Sequence, residues 1–86
     1  MKVTTSKQLS NYIQDIRKQD GMSQTQVGER VGLRQATISK FEQRPDKSTL
    51  ETLFKLLSAL ELELELKPRN NSKNPKAAEN AWPEDW

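Results

Sequence analysis

The chain has 86 residues, 33% of them hydrophobic and 30% charged, so it can form one small core but not two. It contains no cysteine, which excludes disulfides and thiolate metal sites, and no histidine, the commonest metal ligand and acid–base catalyst. The net charge is +2, and residues 1–60 hold ten basic against six acidic side chains, which concentrates positive charge in the N-terminal part.

The first predicted element is a helix over about Ser6 to Gln19. Thr5 can cap it, and Gln8 at the third helical position would complete a capping box. Its apolar side chains recur at i, i+4 and i+7 and form one stripe with Tyr12 beside it: Leu9, Ile13 and Ile16. Asp20 and Gly21 then end the helix.

A second helix is predicted to begin at Ser23, where the pattern S-x-x-Q with Gln26 repeats the capping logic. Gly32 ends this helix, because the left-handed residue needed there is adopted by glycine without a Cβ clash. Gly28, inside the helix, costs about 1 kcal/mol relative to alanine. We interpret it as a site where helix three approaches too closely for a side chain.

A third helix follows over about Arg34 to Gln43, with Ile38 and Phe41 facing the core. Pro45 enforces its end, since the residue before a proline disfavours helix. Two short helices joined by a turn that needs glycine are typical of a helix-turn-helix. The sequence therefore predicts a DNA-binding domain.

A fourth helix is predicted from a capping box of Ser48 with Glu51 to about Leu60. Its buried stripe is expected to contain Leu50, Leu53, Leu57 and Leu60, with Phe54 and Leu56 flanking it. The predicted fold class is therefore all-α, with four helices.

Residues 61–67 alternate strictly between charged and leucine side chains, which is the period of a strand. A lone strand would leave its backbone groups unpaired, so we expect the same strand of a second copy to pair with it and form a homodimer. Antiparallel pairing centred on Leu64 sets Glu61 opposite Lys67. The predicted dimerisation residues are Leu62, Leu64 and Leu66. A helix extension, or an edge strand on another partner, is the open alternative.

Residues 68–86 are polar, interrupted by prolines and without periodicity, so we expect them to be disordered in isolation. Trp82 and Trp86 are unexpected in such a tail. Tryptophan is enriched among binding hot spots, so we interpret the pair as an anchor for a partner. The alternative is a tail that touches nothing. The chain thus divides into a helix-turn-helix domain (1–60), a dimerisation strand (61–67) and a tail (68–86).

Helix-turn-helix proteins dock on DNA with the start of the motif's second helix, here helix three, at the base edges of the major groove. Gln35 can make a bidentate pair with adenine, and Arg34 or Lys40 can reach guanine or phosphate. Gln24, at the start of helix two, is expected to bind a phosphate. The candidate DNA-binding residues are Gln24, Arg34, Gln35, Ala36, Thr37, Ser39 and Lys40.

Residues 8–60 resemble the phage-repressor (Cro/C1, or XRE) helix-turn-helix family. The resemblance is carried by Arg17, by Gly21-Met22-Ser23-Gln24, by Val27-Gly28 and Val31-Gly32-Leu33, and by residues 35–42, QATISKFE. The family commonly has alanine where Gly28 stands and a glycine turn where this chain has Gln43-Arg44-Pro45. The resemblance implies a lambda-repressor-like fold and a structural ion pair between Arg17 and Glu42.

Within that family, residues 35–66 and a short polar tail ending in tryptophan are similar to the HipB antitoxins. The resemblance implies a dimeric repressor that binds operator DNA, neutralises a HipA-like serine/threonine kinase toxin and represses its own operon. A stand-alone repressor without a toxin is the alternative.

We expect no enzymatic activity, because there is no histidine or cysteine and no glycine-rich phosphate loop. We likewise expect no metal, no cofactor and no small-molecule substrate. No apolar run reaches the length of a membrane span or forms the core of a signal peptide, so a cytoplasmic protein without a membrane partner is expected.

Overall fold

The computed structural model describes residues 2–69, which fold into four α-helices and one short 3₁₀ turn. These are α1 (Ser6–Gln19), α2 (Gln24–Val31), α3 (Gln35–Gln43), the 3₁₀ turn (Pro45–Lys47) and α4 (Leu50–Ala59). Residues 2–69 contain no strand, so the prediction of an all-α, four-helix domain is confirmed. Within this range no helix has the length and apolar character needed to cross a bilayer. Trp82 and Trp86 lie outside the described residues.

One hydrophobic core lies where the apolar faces of the four helices meet, with α2 packed against both α3 and α4. Each helix contributes at least one side chain that is almost fully enclosed, including Ile13, Val27, Ile38 and Leu56. Leu9, Ile16, Met22, Val31, Leu33 and Leu62 are partly buried and pack against this cluster.

The start and the end of α1 are both fixed by hydrogen bonds between residues that are close in the sequence. The Thr5 hydroxyl accepts a hydrogen bond from the Gln8 amide at 3.1 Å, as predicted for a cap. The Gln8 side chain, however, accepts from the Thr4 amide at 2.8 Å, so the reciprocal bond of the capping box reaches one residue further back. At the other end Gly21 is left-handed, with φ +69°, and its amide donates to the Lys18 carbonyl at 3.0 Å.

Ser23 and Gln26 form the predicted capping box of α2, with the Gln26 amide 3.0 Å from Ser23 Oγ and the Ser23 amide 2.8 Å from Gln26 Oε1. Gly32 takes the predicted left-handed conformation, with φ +72°. A Cβ on Gly28 would lie 3.2 Å from Ile38 Cδ1 of α3, and it would meet the Leu33 carbonyl oxygen even more closely. The close approach therefore involves the turn backbone as well as α3.

The predicted start of α4 was wrong by one residue. Thr49 is the N-cap, and its hydroxyl accepts from the Thr52 amide at 3.1 Å. Ser48 instead ends the 3₁₀ turn, where its amide donates to the Pro45 carbonyl at 3.1 Å. Because that turn uses Ser48, the capping box with Glu51 does not form.

The buried face of α4 also differs from the prediction. Leu53, Leu56, Leu57 and Leu60 are buried, at i, i+3, i+4 and i+7. Leu50 is 72% exposed and Phe54 is 51% exposed, so the prediction of a buried Leu50 was wrong, while Leu56 belongs to the core and does not flank it.

The chain turns sharply after α4. Glu61 is left-handed, with φ +58°, and its amide donates to the Ser58 carbonyl at 3.1 Å. The Leu62 amide donates to the Leu57 carbonyl at 2.8 Å, which completes the paired hydrogen bonds of a Schellman motif. Helix α4 is therefore not extended, and Glu61 belongs to the turn. Residues 62–69 form neither helix nor strand in the single chain, so pairing across a dimer stays a prediction.

Candidate nucleic-acid interface

Helices α2 and α3 are joined by the three-residue turn at Gly32 in the arrangement that the sequence predicted. Ile38 and Phe41 are buried, with 0% and 2% of their surface exposed, and they anchor one face of α3 in the core. The opposite face, which begins at Gln35, is consequently turned outward.

The predicted contact residues divide into two groups by exposure. Four are exposed: Arg34, Gln35 and Ala36 at the start of α3, and Lys40 in its second half. Gln24, Thr37 and Ser39 are half-buried. Arg34 occupies the N-cap position but makes no side-chain capping bond there, and Ser39 Oγ accepts from Gln43 Nε2 at 3.3 Å.

Behind this surface Arg17 of α1 and Glu42 of α3 form a bidentate ion pair. Arg17 Nε lies 2.7 Å from Glu42 Oε2, and Arg17 Nη2 lies 3.1 Å from Glu42 Oε1. The two side chains are only 10% and 3% exposed. Arg17 Nη1 also donates to the Met22 carbonyl at 2.8 Å, which ties the segment before α2 to the same pair.

Gln24 connects the ion pair to the surface. Its Nε2 donates to Glu42 Oε1 at 2.8 Å, and its Oε1 accepts from Gln35 Nε2 at 2.5 Å. One continuous series of side-chain hydrogen bonds, here called the hydrogen-bonded chain, thus links Arg17, Glu42, Gln24 and Gln35. Sequence reasoning named all four residues but placed Gln24 on a phosphate and missed its two side-chain partners. Those partners are 18 and 11 residues away, so no local pattern indicates them.

The hydrogen-bonded chain leaves Gln35 with a defined set of polar groups. One of its two N–H groups is used by Gln24, so its Oε1 and its second N–H remain for a ligand. An acceptor beside a donor on a planar amide complements the N6 and N7 edge of adenine in the major groove. The geometry therefore suits a base-reading side chain held by its neighbours.

A second feature lies at the N-terminal end of α1, away from Gln35. A groove of about 620 Å³ runs between residues 3–6 and residues 62–67. Its apolar lining includes Leu9, Tyr12, Leu57 and Leu62. Leu64 and Leu66 also line it but remain 45% and 82% exposed, so the apolar surface of the groove continues outward along residues 64–66.

A family model described as helix-turn-helix matches residues 13–67, a range that includes the whole hydrogen-bonded chain. The antitoxin HipB of Escherichia coli O6:H1 (strain CFT073) is 41% identical over 78 residues, which cover 91% of this chain and 82% of that protein. The chain belongs to the HipB antitoxin family of helix-turn-helix proteins. This confirms the family resemblance that the sequence motifs indicated.

Solved structures from the HipB family have the same fold as this chain. A HipB-O4 20mer complex aligns with a TM-score of 0.79 and 40% identity, covering 81% of this chain and 99% of that one. A HipA-HipB-O2-O3 complex aligns with a TM-score of 0.80 at the same identity and coverage. The similarity thus extends through the four helices that position the hydrogen-bonded chain.

Proposed function

We propose that this HipB-family chain is an antitoxin that represses its own operon as a DNA-binding dimer and neutralises a HipA-like serine/threonine kinase toxin. The observation that carries the DNA-binding part is Gln35, exposed at the start of α3 and held through Gln24 by the buried Glu42. Family membership supports the antitoxin part, since one of the solved relatives is a HipA-HipB-O2-O3 complex.

On DNA, the start of α3 enters the major groove, and Gln35 pairs with an adenine. Arg34 and Lys40 are exposed cations that reach guanine or phosphate. Ala36 and the methyl group of Thr37 meet thymine methyl groups. Gln24 has a second N–H beyond the one given to Glu42, and this group is available to a phosphate oxygen.

The dimer forms through residues 62–67. Because Glu61 is occupied in the turn after α4, pairing begins at Leu62, and antiparallel pairing centred on Leu64 sets Leu62 opposite Leu66. The same arrangement sets Glu63 opposite Glu65, so added salt should tighten the dimer by screening the two carboxylates. Covering the exposed leucines and the adjoining groove would supply the apolar burial that the single chain lacks.

The dimer is tested with Leu64→Pro, which removes a backbone donor at the centre of the predicted pairing. We expect monomers in sedimentation equilibrium and a loss of affinity for DNA from the upstream promoter region in fluorescence anisotropy. Leu50→Pro is the matched control, because Leu50 is an exposed leucine at the first position of α4, where proline is tolerated. A Leu64→Pro protein that remains dimeric would remove residues 62–67 from the interface.

The toxin contact is assigned to the tail, with Trp82 and Trp86 as anchors. Co-expression with a HipA-like kinase should yield a complex that Trp82→Ala with Trp86→Ala weakens, while DNA binding is unchanged. A tail-truncated chain, ending at residue 69, that still retains the kinase would refute this assignment. Failure of the full-length chain to bind the kinase would favour the stand-alone repressor, which has less support from the family relationship.

We propose that the protein acts by binding alone and not as an enzyme, and that it does so in the cytoplasm. The absence of histidine and cysteine from the sequence supports this, since most general bases and covalent nucleophiles are thereby excluded. Kinase or hydrolase activity in the purified chain would contradict it.

A further inference from the structure

We propose that Glu42 determines which base Gln35 reads, by fixing the amide orientation of Gln24 and, through it, the amide orientation of Gln35. The proposal rests on the DNA-binding function above and assigns its base specificity to a buried residue. Glu42 is a positioning residue, because its side chain is 3% exposed and lies behind Gln24.

The carboxylate of Glu42 fixes the orientation of the Gln24 amide. An ionised carboxylate can only accept hydrogen bonds, and both oxygens of Glu42 accept from Arg17. Any group of Gln24 that contacts Glu42 Oε1 must therefore be its NH₂ and not its carbonyl. The 2.8 Å contact between Gln24 Nε2 and Glu42 Oε1 follows this rule.

Gln24 in turn fixes the orientation of the Gln35 amide. With its NH₂ turned to Glu42, Gln24 presents its carbonyl oxygen to Gln35, and that oxygen needs a donor. Gln35 can satisfy it only with its own NH₂. A glutamine on an open surface can rotate its amide by 180° at little cost, but here rotation of either amide would bring two acceptors together.

The consequence appears at the base edge. Gln35 retains its carbonyl oxygen and one N–H, which match the N6 donor and N7 acceptor of adenine. Guanine presents two acceptors, O6 and N7, so its O6 would face the carbonyl oxygen of Gln35. Guanine could be tolerated if Gln35 turned both N–H groups of its NH₂ to O6 and N7, and Glu42 prevents this because Gln24, held by Glu42, takes one of those N–H groups. The structure thus assigns the preference for adenine over guanine to the charge of Glu42.

The test uses DNA duplexes that the wild-type chain selects from a random-sequence pool. The base pair read by Gln35 is identified as the position at which Gln35→Ala relaxes selection. Affinity for adenine and guanine at that position is then measured by fluorescence anisotropy for the wild type, Glu42→Gln and Gln24→Met. Glu51→Gln is the matched control, because it neutralises a carboxylate that is 79% exposed on α4.

We expect the wild type and Glu51→Gln to prefer adenine by about 10- to 100-fold, the range of a good bidentate pair. Glu42→Gln and Gln24→Met should each reduce that preference at least about fivefold at this position alone, and combining them should add little, because the two residues act in series. Gln24→Met leaves the ion pair intact, so it carries the test if Glu42→Gln does not fold, which circular dichroism would show.

Three outcomes would count against the proposal. If Glu42→Gln lost affinity equally at every base position, Glu42 would have only a structural role. An unchanged adenine preference in Gln24→Met would mean that orientation does not pass through Gln24. A wild-type chain that selects no duplex at all would overturn the DNA-binding function itself, and this proposal with it.

Discussion

Removing Arg17 is expected to destabilise the domain more than any exposed charge change. Arg17→Met leaves the Glu42 carboxylate, whose side chain is 3% exposed, with Gln24 as its remaining partner. Breaking a buried pair by removing one member typically costs about 3–5 kcal/mol, because an uncompensated charge stays buried. A domain of this size has a free energy of unfolding on the order of 5 kcal/mol, so the variant should keep at most about 2 kcal/mol of it.

Removing both charges should be far milder. In Arg17→Met with Glu42→Leu no charge remains buried, and replacing a whole pair by apolar side chains is often close to neutral. The Met22 carbonyl and the Gln24 amide each lose a partner, at about 1 kcal/mol apiece. The double variant should therefore be destabilised by about 2 kcal/mol, less than the single variant it contains.

Urea unfolding followed by circular dichroism at 222 nm measures both values. The slope for a small domain is about 1 kcal/mol per molar urea, so a 3 kcal/mol loss shifts the midpoint by about 3 M. All variants are compared at one protein concentration, because dimerisation makes apparent stability depend on it. If Arg17→Met costs under about 1 kcal/mol, or if the double variant is less stable than the single one, the pair is not buried as described.

Three further predictions concern the backbone of the helices and are checked by the same unfolding measurement. Thr49→Ala should cost about 1 kcal/mol, whereas Ser48→Ala should cost under about 0.5 kcal/mol, since only Thr49 caps α4; equal costs would restore Ser48 as a cap. Gly28→Ala should gain about 1 kcal/mol of helix propensity but lose about 1–3 kcal/mol by displacing the Leu33 carbonyl, so a net loss is expected and a raised midpoint would refute the contact. Glu61→Gly should stabilise the turn after α4 by up to about 1 kcal/mol, because it relieves a left-handed non-glycine residue, and a clear loss would mean that the turn is not formed.

The features that the sequence predicted correctly are those that depend on neighbouring residues. Ser23, Gln26 and Gly32 set the ends of α2 through bonds that span at most four positions. The start of α4 was misplaced because Ser48 and Thr49 are adjacent residues that can both cap a helix. The 3₁₀ turn at Pro45–Lys47 decides between them, and three-residue turns of this kind leave little sequence pattern.

The hydrogen-bonded chain could be predicted only in part, because its contacts join residues that are far apart in the sequence. The link between Arg17 and Glu42 joins residues 25 positions apart and was expected only through the family resemblance. The two contacts of Gln24 depend on how α2 and α3 cross, which periodicity does not determine. Residues 62–67 present a third case, because their expected partner is a second chain.

The buried ion pair is a poor way to stabilise a small core, and its position indicates what it contributes instead. Two apolar side chains could fill the same space without the desolvation penalty, but neither could hold the NH₂ of Gln24 and thereby orient Gln35. Arg17→Met with Glu42→Leu should therefore fold, bind DNA and lose the adenine preference at the position read by Gln35. Selection of duplexes by that variant, compared with the wild type, measures this directly. Retention of the preference in a folded double variant would show that packing of α2 against α3 orients Gln35 without the buried charges.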